Sequence, residues 1–546
     1  MSRTTPSILP RKAPQLALLL VLALALLLTT GCSTTSITEE NPEVAVNQII
    51  PAKLAIVHTG GIAGTYAQQE SSMGVSAIAA LKHSLEDEGY EVLLLDSGNS
   101  LTGTLITDLS DGETPIAFMN AAKYDALTLG SRELSLGFNV LRRRAAQSDF
   151  LYLSANARPT SDAKSPLKEN TTFVLADGRR VGVFGLTSPG ARDDLLPLAA
   201  DDFEIKDDEL SEIAHEQVAA LRSEGCRLVI CLANLGTDDE GTPRAQRLAS
   251  QVSGINVLLD VSEDGPEQYS VTDASEDRML LVETAQSLTG ASVITWETGT
   301  LSVRFVDAST QDMQDEQVEA LVNQTVSEVD QYLAKVVATA ERMPSLSDGT
   351  RPSGLTQLVT DSLLWEANRS SKQKPDAALL TSGTLQVPLP KGDITNQAIL
   401  QTAPQPLTHL CTIEVKGSDL QAALQPLLAA RPVYDAATPY VAGIELKREQ
   451  GEDNQPREAT IEKVGGEAFS PTATYVIVTC EGLITPEGAL HALAEAADKS
   501  PEDVGTTAAR ALSSFLEREC KGKVPDHYLE APPLPEAQPA PEEQPQ

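Results

Sequence analysis

The most constraining feature of the chain is a series of short apolar segments that alternate with amphipathic ones between Leu54 and Val306. The apolar segments include LAIVH, EVLLLD, VGVFGLT, LVICLAN and INVLLD, and segments such as GVSAIAALKHSLEDEG separate them. Strands without polar alternation are buried on both faces, and the intervening helices cover those faces. The pattern therefore predicts a layered α/β domain over residues 53–310.

A second domain is predicted downstream. Glu316 to Glu341 have helical spacing without Gly or Pro, so we expect a connecting helix within a linker over 311–353. The segments that follow are LTQLVTDSLLWEANR, DAALLTSG, CTIEVKG and TYVIVTC. They predict a mixed α+β domain over 354–525. Residues 526–546 end in a stretch rich in Pro, Glu and Gln, which predicts a disordered tail.

The N-terminus has the layout of an export signal. Basic residues precede an apolar run, Leu16 to Leu28, that is too short for a comfortable transmembrane helix. The run leads into TTGCSTTS, in which Cys32 resembles the lipidated cysteine of a bacterial lipobox. An ordinary cleaved signal is the alternative. We expect a lipoprotein signal over 1–32, a polar tether over 33–52, and a membrane anchor in the bacterial envelope that faces the periplasm or the exterior.

Charge and cysteine content exclude nucleic-acid binding and a cysteine-based metal site. The chain has 41 Lys and Arg against 77 Asp and Glu, a net charge of −36, which repels the phosphate backbone of nucleic acids. We therefore expect no nucleic-acid polymer as a partner. Its six cysteines have no CxxC or Cys/His metal spacing, so those beyond Cys32 are predicted to be buried free thiols.

The order of the segments carries a family resemblance. IVHTGGIAG, LLLDSGNSLTGT, MNAAKYDALTLGSRELSLG, FLYLSAN, VGVFGLTSP and LVICLANLG are followed by DAALLTSGTLQVPLPKGDIT and IEVKGSDLQAAL. Together they resemble the bacterial 5′-nucleotidase/UDP-sugar hydrolase family from Leu54 to Phe515. The resemblance implies a calcineurin-like phosphoesterase fold with α/β/β/α layers, then the family's α+β C-terminal domain. It also implies two divalent metals, which would activate hydroxide and neutralise the phosphoryl oxygens.

The positions that hold metals in the family carry other residues in this chain. Gly61 and Ala63 stand where the family has Asp and His, and Asn99 replaces the bridging Asp. Only Glu133 of the third motif is kept. The remaining ligand and catalytic positions have also changed, and they are Ser131, Arg132, Ser135, Asn234, Ser262 and Asp264. We therefore interpret all of these as vestigial positions and expect no catalytic residue, no metal ligand and no metal cofactor.

The predicted substrate positions in the second domain have changed in the same way. Thr381 and Gln386 replace the Asn and Arg of the family's nucleotide loop. Gln405 and Gly482 stand where two aromatic rings would sandwich the base. An amide and a glycine cannot replace an arginine fork or a pair of rings. These four are interpreted as vestigial substrate positions.

Three functional hypotheses follow. The first is a lipid-anchored envelope pseudoenzyme of this family that binds or scaffolds, with an envelope protein or a weakly bound anion as its partner. The second is an active nucleotide or phosphate-ester phosphohydrolase with a metal site rebuilt from Asp96, Glu133 and Asp264. The third is an envelope solute-binding lipoprotein, which requires a closed polar pocket between the two domains. Arg132 could hold an anion as a fork. The sequence leaves the oligomeric state open.

Overall fold

The computed structural model describes residues 53–529 apart from 162, 207–208, 239, 345, 347–351, 386, 433 and 451–455. The predicted signal with Cys32, the tether, Gln386 and the chain beyond Leu529 lie outside the described residues. Among the helices that are described, none combines the length and the apolar content needed to cross a membrane.

In the described part of the N-terminal lobe there are fourteen strands, β1 to β14. In chain order they span Lys53–Thr59, Tyr90–Asp96, Ala126–Thr128, Leu151–Leu153, Ala157–Pro159, Asn170–Val174, Arg180–Thr187, Phe203–Ile205, Cys226–Asn234, Val257–Ser262, Glu267–Thr272, Arg278–Ala285, Gly290–Glu297 and Thr300–Asp307. Helices α1 to α8 span Gly74–Asp87, Leu105–Asp108, Glu113–Ala121, Ser131–Leu134, Gly137–Gln147, Pro197–Ala200, Leu210–Ser223 and Arg244–Gln251, with a 3₁₀ turn at Pro189–Arg192.

Two six-stranded sheets organise this lobe. The first has the order β14-β13-β1-β2-β3-β4, and the second has the order β11-β12-β10-β9-β7-β6. Strands β1 to β4 are parallel in the first sheet, and β7, β9, β10 and β12 are parallel in the second. Strands β5 and β8 pair separately. The carboxyl ends of the parallel strands form the edge at which an α/β fold places its sites.

Side chains alternate between two cores along each buried strand. In β1, Leu54 and Ile56 point into the core between the sheets, whereas Ala55 and Val57 pack against the outer helices. The core on the far side of the second sheet is built partly from α7 and α8, with Leu221 and Leu248 among its members. Three apolar layers between four structural layers confirm the predicted α/β/β/α fold.

The connecting helix is shorter than predicted. Helix α9 spans Glu316–Ala334, and Asp315 caps it by accepting hydrogen bonds from the backbone N–H groups of Gln317 and Val318. The prediction that it extends to Glu341 was wrong, because Lys335 is extended and strand β15, Val336–Ala340, pairs with a later strand. The sequence VVATA favours a strand through its β-branched residues.

The C-terminal lobe begins with β15. Strands β16 to β24 span Ala377–Thr381, Gly392–Thr395, His409–Lys416, Pro439–Ala442, Ile444–Gln450, Pro456–Val464, Glu467–Ala468, Thr474–Cys480 and Glu502–Thr507. Helices α10 to α16 span Gly354–Ser370, Asn396–Thr402, Gly417–Ala423, Gln425–Leu428, His491–Glu495, Ala508–Ser514 and Asp526–Leu529. Short 3₁₀ turns occupy Ser382–Thr384 and Glu481–Leu483, and a π-helical turn occupies Phe515–Glu519.

The central sheet of this lobe has the order β19-β16-β23-β18-β24 and packs against α10 and α15. Strand β17 pairs with β15, and β20 to β22 form a separate sheet. The mixed α+β prediction is confirmed. Residues 526–529, predicted to be disordered, form α16 instead, because Tyr528 and Leu529 are buried in the core.

Candidate functional site

The loops that follow the parallel strands of both sheets surround one cavity of about 370 Å³. Its lining comes from the ends of β1, β2, β3, β7, β10 and β12. The lining residues are Gly61, Ala63, Asn99, Thr102, Ser131, Arg132, Ser135, Asp194, Glu263 and Gln286. We call this space the strand-end cavity. It brings together six of the predicted vestigial metal and catalytic positions.

Two asparagines tie the loops of this cavity together. The Asn234 Nδ2 atom donates to the Ser97 carbonyl oxygen at 2.6 Å, and Asn99 Nδ2 donates to Asn234 Oδ1 at 3.3 Å. Asn99 Oδ1 then accepts from the backbone N–H of Arg132 at 3.0 Å. The chain of amides links the loops after β9, β2 and β3. Asn234 therefore lies next to the cavity, as its position in the sequence predicts.

Glu133 is fully buried and serves as an acceptor for the backbone. Its two carboxylate oxygens accept from the N–H groups of Asn99, Ser100, Leu101 and Gly130 at 2.7–2.9 Å. A carboxylate with four backbone donors holds two loops in one geometry. The retained acid of the third motif is thus engaged with the protein.

Asp96 and Asp260 are buried carboxyls at the ends of β2 and β10. Asp96 accepts from the hydroxyls of Thr59 at 2.6 Å and Ser100 at 2.7 Å, and from the backbone N–H of Gly98 at 2.9 Å. Asp260 accepts from the backbone N–H of Val261 at 2.9 Å. Burial raises the pKa of each to about 7 because it disfavours the charged form.

His58 is also withdrawn from the cavity. It is fully buried on β1, and its Nε2 lies 2.8 Å from the Ser97 hydroxyl. Burial lowers the pKa of the imidazole to about 3, so the ring is neutral at pH 7. Its Nδ1 has no partner in the described part of the chain.

The residues of the strand-end cavity do not fit a pair of divalent metals. Such metals require several convergent carboxylates or imidazoles. Within the described ranges, no group of three His, Cys, Asp or Glu side chains is placed to hold a metal ion. The buried acids Asp96 and Glu133 are already used as acceptors by the protein, as described above.

Packing around Gly61 opposes an Asp side chain, the metal ligand that the family has at this position. A Cβ on Gly61 would lie 2.9 Å from Gln286 Cγ and 3.0 Å from Val261 Cγ1, and Gly61 has a φ of +56°. We expect Gly61→Asp to lower the free energy of unfolding by about 1–3 kcal/mol more than Gly236→Asp. Gly236 is the matched control, because its φ is +60° and a Cβ there would meet no atom within 4 Å. Urea denaturation with and without Mn²⁺ measures both effects. Equal losses, or stabilisation of Gly61→Asp by Mn²⁺, would contradict the packing argument.

Four polar residues of the cavity were missed from the sequence, and one of them, Thr102, follows β2. Asp194 follows the 3₁₀ turn after β7, Glu263 follows β10, and Gln286 follows β12. The signal was available, since each lies just beyond a strand that ends at the same edge. The predicted position Ser262 ends β10, and its Oγ accepts from the backbone N–H of Asp264 at 3.1 Å. Asp264 is exposed, and its neighbour Glu263 lines the cavity.

A second cavity of about 460 Å³ adjoins the first, and Thr102 and Ser135 line both. Both lobes contribute to it. The N-terminal lobe supplies Leu136, Leu198, Asp111, Asp202 and others, and the C-terminal lobe supplies Leu407, Thr408, His409, Glu481, Pro501 and Asp503. The solute-binding hypothesis requires a closed polar pocket between the domains, whereas this cavity is open to solvent and is lined by polar and apolar residues alike.

His409 connects the two lobes at this second cavity. Its Nδ1 lies 2.9 Å from Asp503 Oδ1, and its Nε2 lies 3.9 Å from Asp111 Oδ1 of the other lobe. The acidic side chains of Asp111 and Asp503 raise the pKa of His409 to about 10, so the ring is a cation at pH 7. Arg510 Nη2 also crosses the boundary and donates to the Leu109 carbonyl oxygen at 2.8 Å.

Further contacts between the lobes involve Glu481. This buried side chain accepts from the backbone N–H of Leu198 at 2.7 Å. Burial raises the pKa of Glu481 to about 7. Together, the His409 and Glu481 contacts hold the lobes in one arrangement around the second cavity.

Among the predicted substrate positions that the structure describes, Gln405 and Gly482 lie within two residues of Leu407 and Glu481, which line the second cavity. Thr381 is buried at the end of β16, and its carbonyl oxygen accepts from the Thr384 hydroxyl. Gln405 faces Gly482, because a Cβ on Gly482 would lie 2.1 Å from the Gln405 amide atoms. The two predicted ring positions are therefore neighbours, and the Gln405 amide occupies the space beside Gly482.

Part of the chain matches a known family model, and other proteins are similar to it in sequence. Residues 335–494 match the 5′-nucleotidase, C-terminal domain family. The chain is 25% identical over 442 residues to the trifunctional nucleotide phosphoesterase protein YfkN of Bacillus subtilis, covering 71% of this chain and 29% of that protein. It is 30% identical over 141 residues to the protein UshA of Escherichia coli, covering 25% of this chain and 26% of that one.

A solved structure was also found. The 5′-nucleotidase precursor from Thermus thermophilus aligns with a TM-score of 0.49 and 20% identity, over 87% of this chain and 97% of that chain. The sequence alignments, by contrast, cover less than a third of YfkN and of UshA.

Proposed function

We propose that this chain is a pseudoenzyme of the 5′-nucleotidase family, a lipid-anchored protein of the bacterial cell envelope that binds or scaffolds without metal-dependent hydrolysis. One observation carries the proposal. The strand-end cavity is lined by small or neutral side chains, one arginine and two exposed acids, while the buried acids nearby accept hydrogen bonds from the protein.

Hydrolysis by two metals depends on the charges in the strand-end cavity. Hydrolysis of a phosphate ester by two metals needs cations that generate hydroxide and stabilise the phosphoryl oxygens in the transition state. Arg132 adds a fixed positive charge at one of the family's catalytic positions, and this charge opposes a divalent cation there. The two acids of the cavity, Asp194 and Glu263, are too few to hold a pair of metals. Moving Glu133 to a metal would leave its backbone donors without an acceptor in a buried place. The site thus favours a role without metal chemistry.

A solute-binding lipoprotein is the second candidate, and the cavity between the lobes favours it. Its lining combines the His409 cation with acids and with apolar residues such as Leu136 and Leu198. A volume of about 460 Å³ lies in the range of small-molecule sites. The two candidates share a non-hydrolytic role, so one assay separates both from a phosphohydrolase.

The test is metal analysis of the purified protein, together with phosphate release from nucleotide monophosphates and UDP-sugars in the presence of Mn²⁺, Co²⁺ or Zn²⁺. We expect no stoichiometric transition metal and no release above the rate without protein. Metal-dependent turnover that disappears in Asp264→Asn would overturn the proposal in favour of a rebuilt site. Asp264 suits this purpose because it is exposed, so its replacement leaves the fold intact.

The lipid anchor has its own test. We expect Cys32→Ala to move the protein from the membrane fraction to a soluble fraction, since the acylated thiol would be lost. Fractionation with metabolic labelling by a fatty acid measures both properties, and Cys226→Ala is a control with a buried thiol. Membrane association that persists in Cys32→Ala would contradict the anchor.

A further inference from the structure

Arg132 places an unengaged guanidinium in the strand-end cavity. Arg144, Arg222 and Arg448 donate to carbonyl or carboxylate oxygens. Arg132 is exposed in the strand-end cavity, and within the described residues its guanidinium makes no hydrogen bond or ion pair. Because a guanidinium is always charged and presents several donors, it is available to a ligand.

The backbone around Arg132 fixes where its guanidinium lies. Its N–H donates to Asn99 Oδ1, as described above, and fixes the start of the side chain. A Cβ on Gly103 would lie 2.6 Å from Arg132 Nη1, so the guanidinium rests against a glycine that has no side chain to displace it. The position of the cation is therefore built into the loops of the cavity.

Two carboxylates line the same cavity as this cation. Asp194 and Glu263 come from loops of the second sheet, whereas Arg132 comes from the first. Neither acid lies within 4.0 Å of the guanidinium, so the opposite charges are not paired with each other. The amides of Asn99 and Gln286 add neutral donors and acceptors to the lining.

We propose that the strand-end cavity binds a small zwitterion, such as an amino acid or a short peptide with free ends. The ligand's carboxylate would pair with Arg132, and its ammonium group would lie toward Asp194 and Glu263. This inference names the ligand class for the binding role proposed above and rests on that role. It concerns binding alone, with no bond made or broken.

Charge decides between this ligand and the alternatives. A phosphate ester with two negative charges would meet both acids of the cavity on a chain with a net charge of −36. A simple amine would leave Arg132 unpaired. A zwitterion satisfies both signs, and a cavity of about 370 Å³ has room for an amino acid or a dipeptide.

The experiment uses the detergent-solubilised full chain and calorimetric or NMR titration at millimolar concentrations. The probes are glycylglycine, N-acetylglycylglycine, glycylglycinamide and inorganic phosphate. We expect saturable binding of glycylglycine, and binding weaker by about tenfold or more for each probe that lacks one charge. Phosphate should bind more weakly than glycylglycine.

Substitutions test which side chains bind the two charged ends of the ligand. Arg132→Gln should weaken glycylglycine binding by about tenfold, whereas Arg142→Gln, an exposed arginine outside the cavity, should leave it unchanged. Asp194→Asn with Glu263→Gln should weaken glycylglycine but not N-acetylglycylglycine. No saturable glycylglycine binding, or tighter binding of phosphate or of glycylglycinamide, would overturn the inference. Metal-dependent phosphate release would overturn the proposed function instead, so the two failures are distinguishable.

Discussion

Replacing Glu133 with alanine is expected to lower the free energy of unfolding by about 3–5 kcal/mol. The carboxylate is fully buried and accepts from four backbone N–H groups, which belong to Asn99, Ser100, Leu101 and Gly130. Alanine removes the acceptor and leaves these donors buried without a partner. The loss exceeds that of a typical substitution because several donors depend on one side chain.

Urea denaturation measures this effect, and Glu263→Ala is the control because that acid is exposed in the same cavity. The control should change the free energy of unfolding by about 0.5 kcal/mol or less. Glu133→Gln should fall between the two, since an amide keeps one acceptor oxygen but turns N–H groups toward the donors. Equal stability of Glu133→Ala and Glu263→Ala would show that the carboxylate does not hold the loops.

His409→Gln is expected to lower the free energy of unfolding by about 2–3 kcal/mol at pH 7, a value reduced for the partial exposure of the ring. The variant leaves Asp111 and Asp503 near each other without the cation between them. The positive charges of Arg510 and Arg144 also interact electrostatically with Asp111. Glu481 lines the same cavity. The expected loss of stability comes from weakening the contact between the two lobes.

The direction of the pKa shift of His409 determines how its contribution to stability changes with pH. The folded pKa of His409, about 10, is above the ordinary value of 6.5. Its contribution is therefore fully present below about pH 6.5 and is lost as the pH rises through about 10. Thermal unfolding from pH 7 to pH 10 should show the wild type losing stability relative to His409→Gln. His83→Gln, a half-exposed histidine of α1, is the control. Parallel pH curves for wild type and His409→Gln would contradict the assignment.

Much of the fold and part of the site could be predicted from the sequence. Continuous apolar strands between amphipathic helices allow few arrangements, and the family resemblance supplied their order. The same resemblance placed Gly61, Ala63, Asn99 and Arg132 at one edge, where the structure has them. These residues meet because parallel strands end together, so residues at their carboxyl ends lie at one edge.

The remaining features depend on contacts between distant segments. Asp194 and Glu263 have no ligand pattern in the sequence, and the cavity alone relates them to Arg132. The pairing of His409 with Asp111 joins residues of different lobes, which local spacing does not encode. The end of α9 was missed because the absence of Gly and Pro was weighed above the β-branched residues of VVATA, which pair with β17 in the structure.

The amides of Asn99 and Asn234 connect the loops of the strand-end cavity without any cation. They join three loops through hydrogen bonds that a chelator cannot remove. Loops joined only by bound metals would separate when the metals are lost. Hydrogen bonds between amides and backbone groups need no cation, so we expect the strand-end cavity to keep its shape when zinc or manganese is scarce. EDTA should therefore leave the melting temperature unchanged.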